Sequence, residues 1–136
     1  MKSTAHYYLI ILLCLVTVYS CNMTKIKQDA NTNEEPVVIK NDSLSYEITI
    51  IDPGFTNYLN TVARPPGYHS LIFLENKNRL YVSVWNSRVN SPTNFNPNVY
   101  SNIIDYDPFI NYGYDVNYKL FNYFEFAQRK YRMRLR

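Results

Sequence analysis

Residues 70–90 read SLIFLENKNRLYVSVWNSRVN, and this stretch decides the fold of the chain. It contains neither proline nor glycine, and it holds the only tryptophan of the protein. Large apolar side chains recur within it at separations of three, four or seven residues, which places them on one face of a helix. These side chains are Leu71, Leu74, Tyr81, Trp85 and Val89. The spacing therefore predicts one amphipathic helix lying across a small domain.

Both ends of this helix are marked in the sequence. Ser70 is suited to cap the start, because its hydroxyl can accept a hydrogen bond from a free N–H of the first turn. Pro92 follows the last apolar position and cannot continue a helix. The competing interpretation is a hairpin, in which β-branched and aromatic residues alternate over residues 79–85 and residues 75–78 form the turn. The length of the stretch and its lack of glycine favour the helix.

The N-terminal residues have the pattern of an export signal. Lys2 supplies a positive start, and residues 7–18 form a nearly unbroken apolar run that is shorter than the roughly 20 residues of a membrane span. The run ends in VYSC, residues 18–21, which resembles the lipobox of bacterial lipoproteins. In that class the cysteine sulfur receives a diacylglyceryl group, and cleavage makes the cysteine the N-terminus, whose amine is then acylated, for example with palmitate.

Lipidation of Cys21 is chemically consistent with these residue types. A cysteine thiolate is the nucleophile that a thioether bond requires, and two or more acyl chains anchor a protein stably where one would be marginal. The alternatives are an ordinary secretory signal with a chance cysteine, or a short membrane anchor. Because Cys14 would leave with the signal, the mature chain would have no free thiol for catalysis or metal binding.

The sequence predicts three parts. Residues 1–20 are the lipoprotein signal peptide. Residues 21–45 are the lipidated N-terminus and a flexible tether, because their polar composition buries too little surface to offset the entropy of ordering. Within this tract the three apolar residues 37–39 could add an edge strand or a contact to the domain. Residues 46–136 are predicted to form one globular domain.

The predicted fold class of this domain is α+β. Residues 46–51 are β-branched and alternate, so they predict a strand, and a second strand is predicted around residues 100–105. Helical spacing predicts helices over residues 55–63, over 70–90 and from residue 114 onward. We therefore expect two short strands packed by two or three helices. The sequence leaves open whether the strands pair in parallel or antiparallel fashion.

Several motifs of the domain resemble one family. They include EITIIDPGF at residues 47–55, LENKNR at 74–79, WNSRV at 85–89 and IDYDP at 104–108. They look like a family of small Bacteroidetes lipoproteins of unknown function, and the resemblance covers roughly residues 46–132. It implies a Gram-negative cell envelope and brings no activity, ligand or catalytic residue. The residues after Cys21 lack the acidic signal that directs some such lipoproteins outward, which favours the outer membrane facing the periplasm.

Three aspartates and one histidine are the candidates for chemistry. Asp52 and Asp105 each end a predicted strand, so they would meet if those strands were parallel neighbours, and paired carboxylates can bind a hard cation. Asp107 precedes a proline, and all three aspartates also suit turns. His69 would need a carboxylate to orient it as a general base, and one histidine without cysteine cannot form a zinc triad. This set defines the alternative prediction of a small hydrolase or metal-dependent enzyme.

A second group of residues has the composition of a binding surface. Trp85, Tyr81, Asn86 and Arg88 combine aromatic rings with polar groups, as glycan-binding sites do, although helical spacing favours Trp85 and Tyr81 as core residues. The net charge of +3 is close to balance and gives no reason to expect nucleic acid. We therefore favour a non-enzymatic envelope lipoprotein without cofactor or metal. Its expected partners are membrane lipid through Cys21 and an envelope protein, glycan or lipid.

Overall fold

A computed structural model describes residues 36–136 of the chain, so the predicted signal peptide and Cys21 lie outside the described residues. In chain order the elements are β1 (Val37–Asn41), β2 (Tyr46–Ile50), α1 (Phe55–Thr61), α2 (Leu71–Val89) and α3 (Gly113–Lys130). This arrangement confirms the predicted α+β class. No helix within residues 36–136 combines the length and the apolar character that crossing a membrane requires.

The two strands form an antiparallel β-hairpin. In its register Val37 lies opposite Ile50. Side chains alternate between the two faces of a strand, and the inner face carries Ile39 and Ile50, which are both buried. Asn41 at the end of β1 donates a hydrogen bond through Nδ2 to the carbonyl of Tyr112 at 3.0 Å. This contact fixes the turn of the hairpin to the chain that enters α3.

The second strand lies in a different place from the one that the sequence predicted. β1 falls within residues 21–45, so the predicted tether extends too far, and the apolar trio at 37–39 is part of the sheet. Residues 100–105 contain no strand. Side chains of α2 bind the backbone of Asn102 and Ile104 instead, so these groups are not free to pair with β2. The predicted strand at 100–105 is therefore wrong, and the observed pairing is antiparallel.

Helix α2 confirms the helical interpretation of residues 70–90. The Ser70 hydroxyl accepts a hydrogen bond from Phe73 N at 3.3 Å, as expected for a helix cap. The hairpin alternative is wrong, because residues 75–78 are internal to the helix. One face of α2 enters the core, and its buried residues are Leu74, Asn78, Tyr81, Val82 and Trp85.

Helix α3 packs against α2 through aromatic rings and a buried amide pair. Phe124 is fully buried, and its ring centroid lies 5.6 Å from that of Tyr81 and 5.9 Å from that of Trp85. Asn78 Nδ2 donates to Asn117 Oδ1 at 3.0 Å. Because an unpaired buried polar group costs about 1–3 kcal/mol, this amide pair favours one register between the helices.

A tight turn leads from β2 into α1. Phe55 N donates to the carbonyl of Asp52 at 3.1 Å, and Gly54 adopts a φ of +95°, which glycine reaches without steric strain. Phe55 is buried, with its ring centroid 5.5 Å from that of Phe126 in α3. From the sequence, Asp52 suits a turn and a helix is expected over residues 55–63, and the structure confirms the turn and a helix at Phe55–Thr61.

Candidate functional site

A groove of about 600 Å³ opens along β2. One wall consists of residues 45–53, which are β2 with its flanks. The other wall consists of residues 98–105 apart from Tyr100. The volume lies within the range of about 300–1,000 Å³ that is typical of ligand clefts. The groove is therefore large enough for a ligand or a short peptide.

The groove follows the edge of β2 and not one of its faces. Neighbouring side chains of a strand point to opposite faces, so a groove over one face would be lined by alternate residues. Here every residue from 45 to 53 lines the groove. Because β1 occupies one edge of β2 in the two-stranded sheet, the groove lies at the other edge.

The opposite wall is held in place by side chains of α2. Asn86 Nδ2 donates to Ile104 O at 2.8 Å, and Asn86 Oδ1 accepts from Ile104 N at 2.9 Å. Trp85 Nε1 donates to Asn102 O at 3.0 Å. The N–H of Ile103 shares a trans peptide unit with Asn102 O, and the C=O of Ile103 shares one with Ile104 N, so each is directed opposite to a group that binds α2. The groups of Ile103 therefore point away from α2.

The floor of the groove is apolar and aromatic. It is formed by Leu120, Tyr123 and Trp85, of which Leu120 is 0% and Trp85 2% exposed. Burial raises the pKa of the Tyr123 hydroxyl above its usual value, so this group is uncharged at neutral pH. Ile51 and Ile103 also line the groove and are 75% and 58% exposed. An occupant would therefore meet exposed apolar surface at the rim, and Tyr123 is the floor residue that stays partly exposed.

An ion pair closes one end of the groove. Lys130 Nζ lies 2.5 Å from Asp52 Oδ1 and donates to the carbonyl of Pro53 at 2.7 Å. The Tyr131 hydroxyl donates to Asp52 Oδ2 at 2.9 Å. Burial, together with the hydrogen bond to Asp52, raises the pKa of Tyr131 to about 12. The Asp52 carboxylate thereby attaches the end of α3 to the turn after β2.

Negative charge predominates along the groove. Among the residues that the structure describes, the lining contains three carboxylates, those of Glu47, Asp52 and Asp105, and one cation, Lys130. Lys130 is paired with Asp52, and within residues 36–136 no ion pair involves Glu47 or Asp105. Glu47 Oε1 accepts a hydrogen bond from Thr49 Oγ1 at 3.3 Å. The groove is therefore complementary to a positively charged ligand.

From the sequence, Asp52 and Asp105 would meet if the two predicted strands were parallel neighbours. Both do line one groove, but Asp105 lies on an irregular segment and Asp52 is engaged by Lys130. In the part of the chain that the structure describes, no three histidine, cysteine, aspartate or glutamate side chains are grouped so as to hold a metal ion.

The other residues of the enzymatic alternative lie outside the groove lining. The His69 ring is stacked on Phe73, with 4.4 Å between the ring centroids. Asp107 Oδ1 accepts from Phe109 N at 2.8 Å, which is the turn role that its position before a proline predicts. Of the three aspartates and the histidine, only Asp52 and Asp105 share the groove. The hydrolase alternative stays a prediction.

Two further candidates for ligand binding make structural contacts. Tyr81 is buried, and its hydroxyl donates to Glu125 Oε1 at 3.0 Å. Arg88 donates to the Tyr100 hydroxyl at 2.6 Å and to Arg134 O at 2.5 Å, which fastens the segment after α3 to α2. Neither Tyr81 nor Arg88 lines the groove, whereas the mostly buried Trp85 does. The preference for Tyr81 and Trp85 as core residues is confirmed.

Sequence reasoning missed the open edge of β2 and the ion pair at the end of the groove. Lys130 and Asp52 are 78 residues apart, so no local pattern connects them. The sequence gives a partial indication of the floor residues Leu120 and Tyr123, because helical spacing places both on the apolar stripe of the last helix. That stripe indicates burial but not that part of it lies beneath a groove.

The groove and its walls lie within the region covered by a known family. The family model of DUF6146, a family of unknown function, matches residues 8–136. The chain belongs to the DUF6146 family. The matched DUF6146 region contains every described helix and strand and the whole groove lining. No curated protein and no solved structure matches the chain.

Proposed function

We propose that this DUF6146 protein is a non-enzymatic binding module of the bacterial cell envelope, anchored to lipid through Cys21. Its binding site is the groove between β2 and residues 98–105. The groove is the observation that carries this proposal, because it combines an apolar floor, exposed isoleucines at its rim and an excess of carboxylates. The partner is an envelope component, and the proposed location is the periplasmic side of the outer membrane.

The proposed anchor rests on the position of Cys21, which ends the apolar run and precedes a polar tract. Metabolic labelling with a palmitate analogue tests it directly. We expect label in the wild type and in Cys14→Ala, and none in Cys21→Ala. Cys14→Ala is the matched control, because it also removes one cysteine near the N-terminus. Equal labelling of all three proteins would refute the anchor and leave the groove proposal standing.

Site-specific photo-crosslinking tests the groove. A benzophenone-bearing amino acid at Ile103 would stand at the rim, where the native side chain is 58% exposed. Ile72 on α2 is the matched control, since it is 70% exposed and does not line the groove. We expect light-dependent adducts in intact cells at position 103 and not at position 72. Digestion of the adduct with a protease or a glycosidase then identifies the class of partner.

Two outcomes would overturn the assignment of the groove as the binding site. One is the absence of adducts at position 103 in cells that express and process the protein normally. The other is adduct formation of equal strength at positions 72 and 103, which would indicate unspecific contact.

A further inference from the structure

We propose that the groove receives an extended segment of a partner polypeptide, which joins β2 as a third strand. The segment alternates apolar residues with residues that include lysine or arginine. This inference rests on the proposed function, because it specifies what kind of ligand the same groove takes.

Within residues 36–136 the backbone of β2 has one edge without a partner strand. The sheet consists of two strands, and β1 occupies only one edge of β2. Among the described residues no backbone hydrogen bond joins residues 46–51 to residues 98–105. An open strand edge presents a row of donors and acceptors that pairs readily with another chain. Adding a strand at such an edge is a common mode of peptide recognition.

The wall that faces β2 is held by side chains of α2. Asn86 binds both backbone groups of Ile104 and Trp85 binds Asn102 O, so this segment is fixed to α2 and is kept from closing on β2. The backbone groups of Ile103 then point away from α2, because each shares a trans peptide unit with a group that binds α2. Each wall consists of a nearly continuous run of residues. Such runs are expected where two backbone edges face each other across a slot.

An added strand would meet apolar and acidic side chains in the groove. Alternate side chains of such a strand would pack on the exposed Ile51 and Ile103 at the rim and on Tyr123, which is partly exposed at the floor. The remaining side chains would lie near Glu47 and Asp105, which are exposed and have no ion-pair partner within residues 36–136. These apolar side chains therefore select apolar residues at alternate positions, and the carboxylates select basic residues between them.

A displayed library of random peptides, each about as long as the wall at residues 45–53, supplies the probe. The purified full-length protein in detergent is the bait. We expect the enriched peptides to alternate apolar residues with lysine or arginine. Synthetic versions are then measured for affinity to the same protein. Failure to enrich any peptide over the empty support would overturn the proposal.

Strand addition is tested by methylating alternate backbone nitrogens of the best peptide, which leaves its side chains and charge unchanged. Methylation of the nitrogens that face β2 removes the hydrogen-bond donors, and we expect affinity to fall at least about tenfold, which is roughly one backbone hydrogen bond or more. Methylation of the other set of nitrogens is the matched control. Amide exchange in residues 46–51 should also slow when the unmodified peptide binds.

The position of the peptide is tested by charge reversal at Asp105. Asp105→Lys should weaken binding of the basic peptide by about fivefold or more, as expected for a change of two charges near a cationic ligand. Asp115→Lys on α3 is the control, since the Asp115 side chain is 68% exposed and lies outside the groove lining. Equal effects of the two reversals would show that the peptide does not bind in the groove.

The failures of the two proposals are distinguishable. Binding that depends on Asp105 but not on backbone methylation would overturn strand addition and retain the groove as the site. Crosslinks at position 103 to a glycan or a lipid would likewise overturn the polypeptide ligand alone. The absence of both crosslinks and peptide binding would overturn the proposed site together with this inference.

Discussion

The amide side chain of Asn86 binds both backbone polar groups of Ile104, at 2.8 Å to its oxygen and 2.9 Å to its nitrogen. A side chain of α2 thus occupies the position that a neighbouring strand would take in a sheet. This pair fixes the segment at Ile104 to α2, and residues 100–105 make no backbone hydrogen bond to β2. It also leaves the groove between the two segments open.

Replacement of Asn86 by leucine is expected to destabilise the protein by about 1–3 kcal/mol, because the partly buried N–H and C=O of Ile104 lose their partners. The free energy of unfolding is measured by urea titration with circular dichroism. Ser87→Ala on the exposed side of α2 is the control and should have little effect. If Asn86→Leu were as stable as Ser87→Ala, the Asn86 contacts would not hold the segment.

The two aspartate–lysine pairs of α3 should differ in their contribution to stability. Asp52→Asn is expected to cost about 1–2 kcal/mol, because the Asp52 side chain is 11% exposed and accepts charge-assisted hydrogen bonds. Asp115→Asn removes a pair with Lys119 in which the aspartate is 68% exposed, so about 0.5 kcal/mol or less is expected. Urea titration of both variants checks the difference. Equal losses would contradict a structural role for the Asp52 carboxylate.

The buried hydroxyl of Tyr106 should be energetically coupled to Asn117. It donates to Asn117 Oδ1 at 2.8 Å, and Tyr106→Phe is expected to cost about 1 kcal/mol. In the background of Asn117→Ala the same change should cost less, and a double-mutant cycle measures the difference. Tyr68→Phe at a 59% exposed ring is the control. Strict additivity of the two changes would rule out the coupling.

Stability should fall in alkaline solution. Burial raises the pKa of Tyr106 to about 12 and also raises the pKa values of Tyr46 and Tyr123. In the unfolded chain these groups ionise near their usual pKa of about 10. Above that pH the unfolded state binds fewer protons than the folded state, so the free energy of unfolding decreases. Urea midpoints should be level below about pH 9 and decline above pH 10.

In Tyr106→Phe the free energy of unfolding should decline less steeply with pH, because phenylalanine has no proton to lose. Phenolate absorbance recorded with the urea titration shows whether tyrosine ionises together with unfolding. A free energy of unfolding that stayed constant from pH 8 to pH 12 would contradict the upward pKa shifts.

Two phenylalanines should differ widely in their effect on stability. Phe109 is 95% exposed at a turn, so Phe109→Ala should change the free energy of unfolding by less than about 0.5 kcal/mol. Phe124 is fully buried between α2 and α3, so Phe124→Ala should cost about 3–5 kcal/mol. Urea titration measures both. A large loss for Phe109→Ala would show that its ring is buried in solution.

The helices of this protein could be predicted because their signals are local. Ser70, the apolar spacing of residues 71–89 and the turn before α1 all lie within a few residues of the elements that they specify. The location of the second strand could not be predicted, because it depends on distant contacts. β1 becomes a strand by pairing with β2 and burying Ile39. In residues 100–105, by contrast, backbone groups are bound by the side chains of Asn86 and Trp85.

The candidate site was predictable only in its components. The sequence identified Asp52, Asp105 and Trp85, and all three line the groove. It did not indicate that they meet beside an open strand edge, because that depends on how residues 98–105 dock onto α2. His69, Asp107, Tyr81 and Arg88 have equally suggestive chemistry in the sequence and make other contacts in the fold.

Trp85 is the only tryptophan in the chain, and it is both 2% exposed and part of the groove floor. Its fluorescence, excited selectively over that of the 14 tyrosines, therefore originates from a single known position. Unfolding would shift the emission to longer wavelength as water reaches the indole, and an occupant above the floor would change it without unfolding. The protein thus contains an intrinsic optical probe of the occupancy of its own groove.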